Sequence, residues 1–204
     1  DLDRFADKLF KLLSFEFSMT KELEVSKELI EKSKATIENV RENKFSKLSE
    51  KEVNKCESIL QKSFSESVKF PVGLCHGDLT FSNIMVDTEA DKICLIDFLD
   101  SFIETPFFDV VKLRQDTSFL WTISMHERVE NLTKIELCFD YLDRKIHEKF
   151  KDWDVYKDYY VPTQILNMLR VDQYTNNTQT AILIKKAIRS LLNENDNANN
   201  TSSR

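Results

Sequence analysis

Only two of the 204 residues are glycine, Gly73 and Gly77, and only three are proline, Pro71, Pro106 and Pro162. These residue types stop helices and make tight turns, so a chain this poor in them folds into long unbroken segments. None of the five precedes Pro71, and three fall within residues 71–77, which concentrates the turn chemistry there. Glycine usually makes up roughly 7% of a protein. Its scarcity excludes glycine-built phosphate loops, because neither a Walker A sequence nor a dinucleotide fingerprint can be written from Gly73 and Gly77.

The length corresponds to one domain or one and a half at roughly 150 residues each. At 41% hydrophobic and 31% charged residues the chain lies in the range of folded globular proteins. The net charge of −6 lacks the basic footprint of a nucleic-acid binder, so no nucleic-acid partner is expected. Cys56, Cys75, Cys94 and Cys138 form no CxxC pair, which argues against a zinc site or a disulfide framework and fits reduced thiols in a cytoplasmic protein. No apolar run approaches the roughly 18 residues of a membrane span, and no secretory leader opens the sequence, so no membrane partner is expected. The start at Asp1 suggests a piece of a longer polypeptide.

Residues 1–70 read as helices. Leu2, Phe5, Leu9, Leu12, Leu13 and Phe17 form an amphipathic stripe over 1–17. From about Thr20 a second stripe uses Leu23, Ser26, Ile30, Ser33, Ile37 and Val40; two serines in the seam favour a packed helix over a coiled coil. Ser49 with Glu52 three residues on is a capping-box start for a third helix reaching about Ser65. After Pro71 a loop over 75–83 leads to two short apolar runs, Ile84–Val86 and 93–98, joined by 87–91 as a hairpin. Helical patterning resumes after Pro106, with segments over about 124–150, 155–174 and 177–192, and the polar stretch 193–204 is expected to be disordered. The fold class is mainly α with a small β-hairpin.

The chemistry-bearing stretch is His76-Gly-Asp78-Leu-Thr-Phe-Ser-Asn83, then the hairpin, then Ile96-Asp97-Phe98-Leu99-Asp100. Phosphoryl transfer needs little covalent chemistry from a protein: one carboxylate at the acceptor hydroxyl and hard oxygen ligands for magnesium. An Asp and an Asn five apart, followed by a hairpin that returns a second Asp, bring such groups together. Asp78, Asn83 and Asp97 are the candidates.

This order of motifs resembles the catalytic core of the aminoglycoside phosphotransferase and choline kinase superfamily, small-molecule relatives of the protein kinases. Protein kinases write the same parts as H-R-D-L-x-x-x-N and D-F-G; here Gly77 stands for the Arg and Leu99 for the last glycine. The resemblance implies Asp78 as catalytic base, Asn83 and Asp97 as Mg2+ ligands, His76 as a structural support, and ATP or another nucleoside triphosphate as donor. The acceptor it implies is a small molecule with a hydroxyl: a sugar, an amino sugar or an amino alcohol. Asp109, in Glu104-Thr-Pro-Phe-Phe-Asp109, resembles the family aspartate that anchors the following helix to the catalytic loop. The run from Phe98 to Thr117 is similar to phosphotransferase-like domains of bacterial surface-polysaccharide proteins, which favours a sugar.

Other polar and aromatic residues read as structural: Asp100 as an exposed turn carboxylate, and Phe102, Phe107, Phe108, Phe119 and Trp121 as core. His126, Glu130, Asp140, Asp143 and His147 read as a solvated helix face. The resemblance covers one lobe. It implies the helical C-terminal lobe of the protein-kinase-like fold over 1–192, divided into a helical subdomain 1–70, the catalytic loop and hairpin 71–105, and a helical subdomain 106–192. The N-terminal sheet lobe that covers ATP is absent from this pattern and is expected upstream in the same polypeptide or from a partner chain. The isolated chain is therefore expected to be inactive as a kinase. The alternative is a catalytically idle kinase-like module that binds or scaffolds, and a third reading is a helical adaptor carrying the motifs by chance.

Overall fold

The computed structural model describes residues 2–124 and 129–201; His126 lies outside the described residues. The described part is mainly α-helical with two small antiparallel sheets, each of two strands. It divides into two compact units, each discontinuous in sequence.

The first unit comprises the described residues of Asp1–Glu24 and Lys69–Tyr156. It holds α1 (Leu2–Ser18), β1 (Thr20–Glu24), β2 (Lys69–Gly73), a 3-10 turn at Phe81–Asn83, β3 (Ile84–Asp87), β4 (Lys92–Leu95), α4 (Pro106–Phe119), α5 (Trp121–Ser124) and α6 (Leu132–Phe150). Helix α4 is its axis. Thr105 caps the helix by accepting from the Phe107 amide, Pro106 occupies the first turn, and Leu120 ends it in the left-handed region. Its sequence shows no apolar stripe because it is buried on nearly every side from Phe107 through Thr117, with only Lys112 and Arg114 half-buried, and packs against α6, α1 and β2. Phe70 and Phe107 meet edge to face at 5.1 Å, and Trp153 packs on Phe17 and Phe107. Of the aromatics expected in the core, Phe107 and Phe108 are buried, whereas Phe102, Phe119 and Trp121 are half-buried.

Strand β1 corrects the expectation of unbroken helix from Thr20. Residues Thr20–Glu24 pair with β2 in register from Thr20↔Gly73 to Glu24↔Lys69. The strand is short and exposed, with Leu23 about half accessible, so it carries no buried alternation that the sequence could display. Gly73 is needed here because a Cβ would lie 2.5 Å from the Met19 carbonyl oxygen. The hairpin forms as expected, from Ile84↔Leu95 to Asp87↔Lys92, with the Asp87 carboxylate accepting from the Glu89 and Ala90 amides in the turn. Its second strand ends at Leu95 rather than Phe98. Beyond it Ile96 donates its amide to the Asn83 carbonyl and Asp97 adopts a positive φ of 58°, which leaves the ladder.

Helices α2 (Ser26–Glu42), α3 (Glu50–Phe64) and α8 (Thr178–Thr201) and α7 (Asp154–Asp172) beyond Tyr156 build the second unit. Helices α2 and α3 pack together. The buried face of α2 is Leu29, Ser33, Thr36, Ile37 and Val40, so Leu29 takes the place the expected seam gave to Ser26 and Ile30. The α3 capping box is present: Ser49 Oγ accepts from the Glu52 amide, and Glu52 accepts from the Ser49 amide at 2.7 Å. Glu52 also receives Arg189 of α8 at 2.5 Å. Helix α8 carries on to Thr201, past the Leu192 at which its apolar periodicity stops and across part of the stretch expected to be disordered. The ion pair of Lys55 Nζ with Asp196, at 2.5 Å, ties this polar extension down.

Ser49→Ala removes one side of the capping box, and equilibrium urea unfolding is expected to show a loss of about 1 kcal/mol.

Candidate functional site

The site lies wholly in the first unit, where the loop after β2, the end of the hairpin and α4 meet. Asp109 organises it. The carboxylate is fully buried and accepts two loop amides, His76 N at 2.7 Å and Gly77 N at 2.9 Å, and the Leu79 amide as well. Burial pushes its carboxyl up to about 6 while these donors pull the other way. This is the anchoring role expected of Asp109. Seven residues on, Asp116 repeats the device: it accepts from the Phe81 amide at 2.6 Å and from the amide and hydroxyl of Thr122.

The loop and the end of the hairpin are joined by backbone contacts. His76, fully buried, donates its Nε2–H to the Ile96 carbonyl at 2.8 Å, which leaves Nδ1 to accept from the Asp78 amide. Leu99 N donates to the His76 carbonyl, and Phe98 stacks on the imidazole with ring centroids 4.3 Å apart. The supporting role expected of His76 is thus visible. Gly77 sits at φ 84°, and a Cβ there would lie 1.9 Å from the Leu99 carbonyl oxygen. Only glycine allows the loop this close to the segment that follows Asp97.

The three candidate residues converge through this scaffold. Asn83, nearly buried, donates its Nδ2 to the Asp78 carbonyl at 2.9 Å, and its own carbonyl takes the Ile96 amide, next to Asp97. With its amide nitrogen committed, Asn83 keeps its side-chain oxygen as an acceptor. Asp97 is exposed and held in the left-handed region, a conformation that costs energy and clusters at functional sites. An amide oxygen and a carboxylate are the hard donors magnesium takes, with its remaining positions left to water and phosphate oxygens. Among the described residues no group of three or more His, Cys, Asp or Glu side chains is arranged to hold a metal, so the fit rests on this Asn–Asp pair.

Two further groups escape the motif. Lys112 of α4 places its Nζ 2.9 Å from Asp78 Oδ1. Asp109, Lys112 and Asp116 stand at i, i+3 and i+7 on one helical face, a periodicity that was available in the sequence. Glu16 of α1 is buried with its Oε2 unpaired, and burial together with the charge of Asp109 pushes its carboxyl up to about 8. Among the residues expected on a solvated helix face, Glu130, Asp140 and His147 are exposed. Asp143 is instead clamped by both arms of Arg114 at 3.0 and 2.7 Å and by Thr117 and Ser118.

With the geometry described, comparison with known proteins gives the class. The model of the Phosphotransferase enzyme family matches residues 10–141, more than half of the chain, and takes in the whole loop, hairpin and α4 assembly. The chain belongs to this family. No curated protein and no solved structure gave a significant match. Among the described residues no helix is long and apolar enough to cross a membrane.

The Glu16 carboxyl yields a pH prediction. Its folded pKa lies above the ordinary carboxylate value, so it contributes stability at acid pH that is lost as pH rises through about 8. Between pH 5 and pH 9 the stability of Glu16→Gln relative to the wild type is expected to shift in the variant's favour by about 4 kcal/mol, read by urea unfolding at both pH values.

Proposed function

We propose that this chain is the catalytic lobe of a magnesium-dependent kinase acting on a small molecule. It would move the γ-phosphoryl group of ATP, or of another nucleoside triphosphate, to a hydroxyl of a sugar, amino sugar or amino alcohol. The observation that carries the reading is the link from the Asp78 carbonyl through Asn83 to Ile96, the neighbour of Asp97, which holds the backbone of the three candidate residues together where the loop meets the end of the hairpin. Family membership supports the reaction class and leaves the acceptor to experiment.

In this reading Asp78 orients the acceptor hydroxyl and takes its proton as the oxygen attacks phosphorus, while the nucleoside diphosphate leaves with the electron pair of the broken P–O bond. Asn83 and Asp97 would hold the magnesium, which neutralises charge on the phosphates. His76, Asp109 and Asp116 touch no substrate; they fix the loop so that Asp78 needs no reorganisation as the reaction proceeds. Exposed apolar side chains border the site at Leu74, Met85, Ile96 and Leu99. They suit a nucleotide-covering sheet lobe in the same polypeptide or a partner chain, and without that lobe the chain is expected to be inactive.

In the complete protein Asp78→Asn is expected to lower kcat for magnesium-dependent transfer about 10²–10⁴-fold with little change in thermal midpoint. Retained turnover would remove Asp78 from the role of base. Asp97→Ala is expected to weaken binding of magnesium-ATP in calorimetry while leaving the fold intact; unchanged affinity would take the metal from Asp97.

A further inference from the structure

We propose that Lys112 is a further catalytic residue of this transfer, its ammonium group meeting the oxygens of the phosphoryl group as it passes to the acceptor. The inference rests on the phosphotransferase reading above. It starts from a contact that loop anchoring does not require: Lys112 Nζ lies 2.9 Å from Asp78 Oδ1, and the two side chains are only 17% and 29% exposed.

Asp109 and Asp116 already hold the loop through backbone amides at His76, Gly77 and Phe81. They flank Lys112 on the same face of α4, so that helix can neither turn nor slide without breaking both anchors. The root of Lys112 is therefore fixed, and its flexible stem ends beside the carboxylate. An ammonium group has three donors, of which Asp78 Oδ1 occupies one. The other Asp78 oxygen remains for the acceptor hydroxyl, so the carboxylate that Lys112 contacts is the one beside which the phosphorus would be attacked.

Charge moves during the reaction in a way that suits this placement. Before transfer the Asp78 carboxylate balances Lys112. The hydroxyl proton then passes to Asp78, the acceptor oxygen bonds to phosphorus, and the bond from phosphorus to the leaving diphosphate breaks. Negative charge leaves the carboxylate just as the phosphoryl oxygens draw near, and the ammonium group can follow it from one to the other. Such an interaction is stronger in the transition state than in the ground state, which is the requirement for raising kcat.

The test uses the complete protein as wild type, Lys112→Met, Lys112→Arg and Asp78→Asn. Magnesium-ATP turnover is measured with a panel of sugars and amino alcohols and with water alone as acceptor, so that the readout does not depend on knowing the natural substrate. Lys112→Met is expected to lower kcat about 100-fold while KM for the nucleotide changes less than about threefold, and Lys112→Arg to recover at least about tenfold of the loss. Thermal midpoints confirm folding; should Lys112→Met not fold, Lys112→Gln carries the same comparison. Wild-type kcat in the methionine or glutamine variant, with Asp78→Asn impaired, overturns the role of Lys112 alone. A loss confined to KM, or no rescue by arginine, overturns it too. No turnover by the wild type, or full turnover by Asp78→Asn, overturns the phosphotransferase reading itself and this inference with it.

Discussion

The Asp109 carboxylate is the contact on which the candidate site depends. A loop that runs through Gly77 at a positive φ has amides pointing inward, where water cannot reach them, and each would be costly if unpaired. Asp109 accepts those of His76, Gly77 and Leu79 from the first turn of α4. The loop carbonyls and the His76 ring are then aimed at the end of the hairpin, and Asp78, Asn83 and Asp97 fall into place around them. Removing this carboxylate would not delete a reacting group. It would release the frame that holds the residues proposed to react.

Burial of so much negative charge has an electrostatic cost, and the structure meets it unevenly. Asp116 is matched by three donors and Asp143 by Arg114 and two hydroxyls, whereas Glu16 faces Asp109 with an unpaired oxygen. Glu16 therefore keeps its proton at neutral pH, and the pair behaves as one charge rather than two. Lys112, on the same face of α4 as Asp109 and Asp116, is the cation that meets the charge of Asp78.

The parts legible in the sequence were those governed by short-range rules. The Ser49–Glu52 capping box, the hairpin around Asp87 and the burial of Phe107 and Phe108 follow from local spacing and appear as expected. So does the mainly helical class, which the scarcity of glycine and proline enforces. Strand β1 was hidden because pairing with β2, nearly fifty residues away, decides it and its own side chains are exposed. The buried face of α2 was displaced because its partner helix, not its own heptads, selects which residues turn inward. At the site, Asp78, Asn83, Asp97 and Asp109 were readable as a motif. Lys112 was not, because a lysine in a helix reads as solvated until the loop it faces is known.

The pairing of β1 with β2 has a topological consequence. Glu24 and Lys69 are partners in the ladder, and Val25 N donates to the Val68 carbonyl just beyond them, so the chain leaves and re-enters at adjacent points. Everything from α2 to the end of α3 hangs on that doorway as an excursion whose ends are pinned together. The candidate residues around Asp78 all lie outside it, on the other side of the ladder. The chemistry and the helical pair can therefore diverge at different rates, and substitutions in α2 or α3 would register first in the stability of the second unit rather than in turnover.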